Sequence, residues 1–362
     1  MKKLLILLII PFILSGCYDY NELNDLAIIS GIGIDYESDE YIVTYEILST
    51  KKEGETSASS STYNVTSRGK TVVEAFSNNG NLMDKVPYFE HVDVVVISED
   101  IAKNNLKEVG EYIIRTSKLR NESFLAIATN SSAKDVIEAK SKEKPVASSF
   151  IMNLLENNKN SASAGYFMPY TEILNSILTD GEDAILSAVT VKETGEEKSI
   201  ELVGLGVFED FKLKHIFDTK EAAILNGLNN FDAETVFFEK KCNNGVIVVS
   251  IYESSIKIEP NNENVKISGK LNVRINEDTC NDNLRDEKVY EKLQKEFTKI
   301  VEDKMLNVLK TLQTEKSNAL KIGKFYYDKY RKPNYKLWTN QRFVFDLDLK
   351  INKKGLIFEV KE

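Results

Sequence analysis

Apolar residues recur along this chain with two periods, and the switching between them lays out the elements. Leu26 to Asp35 is a nearly unbroken apolar run of strand length, and Glu40 to Ser49 alternates apolar with polar positions. Both predict strands, joined by the polar turn Tyr36 to Asp39. Gly54 to Ser61 is dense in Ser, Thr and Glu and reads as a surface loop. Thr71 to Val86 and Asp100 to Lys118 carry helical spacing, with Ile101, Leu106, Val109, Ile113 and Ile114 on one face of the second. Val92 to Ile97 and Phe124 to Ala128 predict short buried strands. Ser131 to Lys140 predicts a helix capped by Ser131 or Ser132. Ser148 to Asp180 is mostly helical but interrupted at Asn157 to Ala164, and a strand follows over Ala184 to Val191.

The second half has a different rhythm. Strands over Ile200 to Glu209 and Lys212 to Asp218 precede a helix over Lys220 to Asn229. Three strands then follow in succession, Glu234 to Lys241, Val246 to Ile258 and Val265 to Glu277. Asn243-Asn244-Gly245 makes the first pair an antiparallel hairpin. From Asp286 to Gln313, Leu293, Phe297, Ile300, Val301, Met305, Val308, Leu309 and Leu312 recur at three- and four-residue steps, a long amphipathic helix. A last strand, Arg342 to Ile351, alternates cleanly. The expected class is α+β and multi-domain, each domain a mixed or antiparallel β-sheet flanked by α-helices. The polar run Glu193 to Lys198 reads as the interdomain joint. It divides the chain into residues 1–16, an N-terminal region 17–193 with room for two subdomains, and a C-terminal domain 194–362 with an antiparallel sheet and the long helix.

The first residues follow another logic. Lys2 and Lys3 precede the apolar run Leu4 to Ile13, too short to span a bilayer, and the run ends at Leu14-Ser15-Gly16-Cys17. That order resembles the bacterial lipoprotein lipobox. Residues 1–16 are then a signal peptide, and Cys17, acylated on its thiol, becomes the first mature residue. The expected product is an ectodomain anchored to a membrane by acyl chains rather than spanning it.

Composition removes several functions. A formal charge of −9 and a pI near 5.2 argue against nucleic acid, whose phosphates call for clustered Lys and Arg. With two histidines, no His-Glu-x-x-His helix and no Cys-x-x-Cys pair, no metal site is expected. His91 and His215 lie near strands without a nucleophile elbow, so neither predicts catalysis. Gly31-Ile32-Gly33 and Gly204-Leu205-Gly206 lack the third glycine and the following helix of a dinucleotide fingerprint. They read instead as places where a strand kinks or a helix packs closely. No catalytic residue, cofactor site or enzyme activity is expected, although abundant carboxylates leave a glycosidase-type pair formally open. Cys242 and Cys280 fall at one end of the three-strand meander, about 10 Å apart across the middle strand and beyond disulfide reach. Two free or buried thiols are the expected state, with a twist-closed disulfide as the alternative.

Several ordered blocks resemble one family. The stretch from Cys17-Tyr18-Asp19 through Gly31-Ile32-Gly33-Ile34-Asp35 is similar to the start of the Ger(x)C lipoproteins, the C subunits of spore nutrient germinant receptors. His91 to Ala102, Leu202 to Phe208 with Lys212-Leu213, and the closing residues Leu312-Gln313, Ile322-Gly323, Trp338 and Phe343 to Leu349 resemble later blocks in the same order. Two positions depart: Asn318 stands where the family usually has aspartate, and Tyr18 where a tryptophan commonly follows the lipid cysteine. The resemblance implies three mixed α and β domains and a non-catalytic subunit. It also implies lipid anchoring through Cys17 on the outer face of the spore inner membrane, beside integral-membrane A and B subunits. Two other classes stay open, a solute-binding lipoprotein of a transporter and a cell-wall hydrolase. The apolar strand Leu26 to Asp35 is either a buried central strand, the favoured reading, or part of the partner contact, which the accessibility of Ile28 and Ile34 decides.

Overall fold

A computed structural model describes residues 22–49, 61–116, 119–140, 145–160, 165–195, 197–229, 236–243, 245–280, 286–330 and 336–353. The segment 1–16 expected to be a signal peptide, Cys17, Asn244 and nearly all of the loop 54–61 lie outside the described residues.

In chain order the elements are β1 (Leu26–Glu37), β2 (Glu40–Leu48), β3 (Thr62–Gly69), α1 (Val72–Ser77), β4 (Val86–Tyr88), β5 (Val94–Ser98), α2 (Leu106–Thr116), β6 (Phe124–Ala128), α3 (Ala133–Glu138), α4 (Ala147–Asn160), α5 (Tyr170–Leu178) and β7 (Ile185–Thr194). There follow β8 (Glu197–Glu209), β9 (Lys212–Asp218), α6 (Thr219–Leu228), β10 (Phe237–Lys241), β11 (Val246–Pro260), β12 (Asn264–Asp278), α7 (Glu287–Thr314), α8 (Ile322–Tyr330) and β13 (Arg342–Lys353). A π-helical turn, Ile101–Asn105, leads into α2.

The described strands form two sheets rather than the three sheet-centred domains the resemblance implies. The larger has the order β3-β2-β1-β5-β6-β7-β8-β9, with β4 pairing on β1. Its central strands β1, β5, β6 and β7 run parallel, and Gly33, Val96, Ala126, Ser187, Leu205 and Phe217 lie in one row across it. The smaller sheet is β10-β11-β12-β13, a meander whose last strand joins parallel to β12. Parallel pairing needs a crossover, and α7 and α8 supply it between β12 and β13. Glu193 pairs with Lys198 and Thr194 with Glu197, so β7 and β8 form a hairpin across the expected joint. The large sheet therefore continues to Asp218.

Helices cover both faces of the large sheet, which is why its central strands read as unbroken apolar runs. On one face α1, α2 and α5 pack through Phe76, Val109, Ile113, Ile173 and Leu174. On the other, α3 and α4 cover Val94, Val96, Ala126 and Ala128 through Val136, Ile137, Ile151 and Leu155. Further along that second face α6 lies over Leu205, Val207 and Phe217, and the smaller sheet closes behind it. Residues Ala222 to Leu228 of α6 are all buried, since this helix is enclosed by two sheets and α7. β1 sits between β2 and β5, with Ile34 fully buried and Ile28 half-buried, so it is a central strand and not an exposed contact surface.

Cys242 and Cys280 form a disulfide, with Cα atoms 6.0 Å apart, which corrects the expectation of free thiols. The strand order is the expected meander, but both cysteines lie past the ends of β10 and β12. The Cys242 N–H donates to the Gly245 carbonyl and the Thr279 N–H to the Val246 carbonyl, so both segments turn inward around the start of β11. The bridge passes beyond the middle strand rather than across it.

Candidate functional site

Of the residues the sequence singles out, Cys17 lies outside the described residues and the histidines do not converge. His91 is exposed with its ring 5.7 Å from Tyr88, and His215 is half-buried with its ring 4.7 Å from Phe217. Among the described residues no group of three or more His, Cys, Asp or Glu side chains could hold a metal ion. The glycine pairs are packing positions. A Cβ on Gly33 would sit 2.8 Å from the Ala133 carbonyl, where α3 meets the strand. Gly204 has φ +151°, and a Cβ there would come within 1.8 Å of the Phe217 carbonyl.

What the structure does bring together is a polar junction between the two sheets. Asp183, just before β7, accepts from the Asp210 N–H at 2.8 Å and from the Asn318 N–H at 2.6 Å. Asn318 is itself buried, and its side-chain oxygen accepts from the Trp338 indole N–H at 2.7 Å and the Gly323 N–H at 3.1 Å. Gln313 reaches from the end of α7 to the carbonyls of Trp338 and Gln341. The Tyr326 hydroxyl donates to the Asn261 carbonyl at 2.7 Å. Gly181, at φ +80°, lies against Gly323 so closely that a Cβ would stand 2.4 Å from its carbonyl carbon. Ion pairs rim this network: Glu182 holds Lys321 and Lys324, and Glu209 holds Lys214 and Lys336.

Burial pushes the Asp183 carboxyl up to about 7, against the opposing pull of its two N–H donors, and the nearby Asp210 carboxylate raises it further. The two Lys partners outweigh burial at Glu182 and lower its pKa. The neutral amide of Asn318 supplies the acceptor that Trp338 and Gly323 need without adding a further negative charge beside Asp183 and Asp210. A small polar cavity of about 40 Å³ sits here, lined in part by Asp183, Asp210, Asn318 and Lys336.

Two further buried carboxylates have a structural task. Glu46, fully buried on β2, accepts from the Ala147 and Ser148 N–H groups at 2.8 and 3.0 Å and from the Ser30 hydroxyl at 3.0 Å. It closes the N-terminus of α4, where unpaired N–H groups favour an anion. Asp35 on β1 does the same for α3 through the N–H groups of Ala133 and Lys134. Burial raises its pKa, opposed by those two donors.

A wider cavity, about 770 Å³, opens between α4, β8, α6, β10 and α7. Ile200, Leu202, Ile224 and Phe238 make an apolar lining, and Glu201 and Lys304 contribute charge. Its size suits a small molecule. Neither place is legible from local pattern: Glu182-Asp183 has no motif around it, and the groove forms between elements far apart in the chain.

Known proteins match both halves of this architecture. Residues 19–191 match the family described as the spore germination protein N-terminal domain, and residues 203–357 the spore germination B3/GerAC-like C-terminal family. Spore germination protein GerQC of Bacillus cereus is 24% identical over 98% of this chain and 99% of its own length. Spore germination protein B3 of Bacillus subtilis is 25% identical over 95% of each chain. The crystal structure of the GerBC protein superposes with a TM-score of 0.52 and 19% identity, covering 92% of this chain and all of that one, which supports the fold. Residues of the resembling blocks, Gln313, Gly323 and Trp338, meet at the junction with Asn318. The chain belongs to the GerAC-like spore germination protein family, of which it carries both the N-terminal and the C-terminal domain.

Proposed function

We propose that this protein is the lipid-anchored C subunit of a spore nutrient germinant receptor and acts there without catalysis. Cys17 carries the acyl anchor, the ectodomain stands on the outer face of the spore inner membrane, and integral-membrane A and B subunits are its partners. The observation that carries this reading is the ordered match of both family domains along almost the whole chain. The lipobox order Leu14-Ser15-Gly16-Cys17 supports the anchor. The Cys242–Cys280 disulfide supports an oxidising location outside the cytosol. No helix among the described residues is long and apolar enough to cross a membrane, so contact with transmembrane partners falls to the ectodomain surface.

Deletion of the gene tests the role. Spores lacking the protein are expected to lose the response to one class of nutrient while germinating normally with a non-nutrient trigger. An unchanged response to every nutrient would count against it. A solute-binding lipoprotein is the second reading, favoured by the groove of about 770 Å³. Saturable binding of an amino acid or sugar by the isolated ectodomain, abolished by Leu202→Trp within the groove, would support that reading instead.

A further inference from the structure

Where the chain enters the fold fixes which end of it can meet a membrane. β1, β5, β6 and β7 run parallel, so all begin at one end of the large sheet. Leu26, the first residue of β1, and Gly181 to Asp183, just ahead of β7, therefore share that end. β8 runs the other way and ends there, at Glu209. Lys321 and Lys324 bind Glu182, and Lys336 binds Glu209, so α8 and the residues beginning at Lys336 are pinned to the same end. β1 and β7 stand three strand positions apart, about 14 Å. Five peptide steps separate Cys17 from Glu22, a reach of at most about 17 Å. With Cys17 in the bilayer, this end cannot stand far from it.

The surface there suits that neighbour. Phe325 on α8 is 39% exposed, Leu337 is 46% exposed, and Leu178, at the end of α5 just before Gly181, is 65% exposed. Val86, on the short strand paired beside Leu26, is also exposed. Lys329 lies 5.5 Å above the Phe325 ring and 5.2 Å above that of Tyr330. Apolar side chains interleaved with tyrosines and lysines, whose stems lie on apolar surface while their heads stay wet, are the composition of a bilayer's interfacial zone. Single exposed apolar residues are ordinary on any surface, but these are gathered at the end where the anchor enters.

We infer that this end of the large sheet, with Phe325 of α8 and Leu337 at its centre, docks on the phospholipid surface. The inference rests on acylation of Cys17. The anchor holds the face at high effective concentration over the lipid, so a contact too weak to bind alone sets the orientation of the ectodomain. The carboxyl ends of the parallel strands and Val73 then point away from the membrane.

The test uses the full acylated chain in liposomes containing anionic phospholipid, with lipids brominated near the headgroup as quenchers. The native Trp338 is buried and serves as the unquenched background. Phe325→Trp and Leu337→Trp are expected to lose emission to the brominated lipid, and Val73→Trp to keep it. Liposome flotation of the same samples separates the two levels of the account. Protein that floats while Val73→Trp is quenched and the other two are not overturns the orientation but leaves the anchor standing. Protein that fails to float removes the anchor and the inference together. Phe325→Trp and Leu337→Trp that stay unquenched in floating liposomes, yet become shielded from aqueous iodide in spore membranes, would assign the face to a protein partner and overturn the inference.

Discussion

The main-chain N–H of Asn318 donates to the carboxylate of Asp183 at 2.6 Å, across 135 residues of chain. Asp183 belongs to the approach to the large sheet, and Asn318 to the loop between the long helix and α8 of the smaller unit. Around them Gly181 meets Gly323 without room for a side chain, and Trp338 hangs from the Asn318 amide oxygen. The two family domains are thus joined by a hydrogen-bonded polar seam as well as by the apolar core around α6.

That seam carries a pH dependence. The folded-state pKa of Asp183 is raised by burial from 3.8 to about 7, so between those values the folded protein holds a proton the unfolded chain has released. Stability contributed by this group therefore falls as pH rises from about 4 to about 7, by at most about 4 kcal/mol, and is flat above. Asp183→Asn should abolish that difference. Urea unfolding of both proteins at pH 5 and pH 8 measures it, and equal slopes in the two would contradict the assignment.

The disulfide closes a loop with a sequence separation of 38 residues. Loop-entropy reasoning gives about 2–4 kcal/mol for such a cross-link. Cys242→Ser with Cys280→Ser should lower the urea midpoint of the smaller unit accordingly. A wild-type protein whose midpoint is insensitive to reductant would indicate that the bridge contributes nothing.

Gly204 should reject any side chain. Its φ of +151° and the 1.8 Å approach of a Cβ to the Phe217 carbonyl leave alanine no position without breaking the β8–β9 pairing. Gly204→Ala is expected to yield insoluble or protease-sensitive protein, whereas Gly80→Ala, with open space around its Cβ, should stay soluble. Equal solubility and protease resistance of the two variants would show that the close approach is not a constraint.

Glu46 should be needed as an acceptor at both side-chain oxygens. Glu46→Gln keeps its size but turns an amide NH2 toward N–H groups or the Ser30 hydroxyl, at a cost of about 2–3 kcal/mol. Hydrogen exchange of the first amides of α4 reads the loss most directly, and unchanged protection would refute the capping role.

Much of this fold was legible in the pattern of apolar residues, because helical and strand periods are local. The long helix from residue 287 to 314 and the alternating strand from residue 342 onward fall where the spacing puts them. What the pattern missed is non-local. β3, Thr62–Gly69, has only its Gly69 and Ser67 buried, and a strand that polar leaves little alternation to read. The parallel pairing of β13 on β12 cannot be told from antiparallel pairing by side-chain alternation, which is the same in both. The disulfide was mispredicted because a strand-spacing estimate ignores chain that turns inward beyond the ladder. Asp183 and Glu182 were invisible as a site, since their partners arrive from residues 318 to 324.

The central claim, an anchored receptor subunit, is tested most directly by spores carrying Cys17→Ala at the native locus. Membranes are fractionated and nutrient germination is followed in parallel. The account predicts that the protein leaves the spore membrane fraction and that one nutrient response is lost while others persist. Protein that leaves the membrane while every nutrient response stays intact would contradict it.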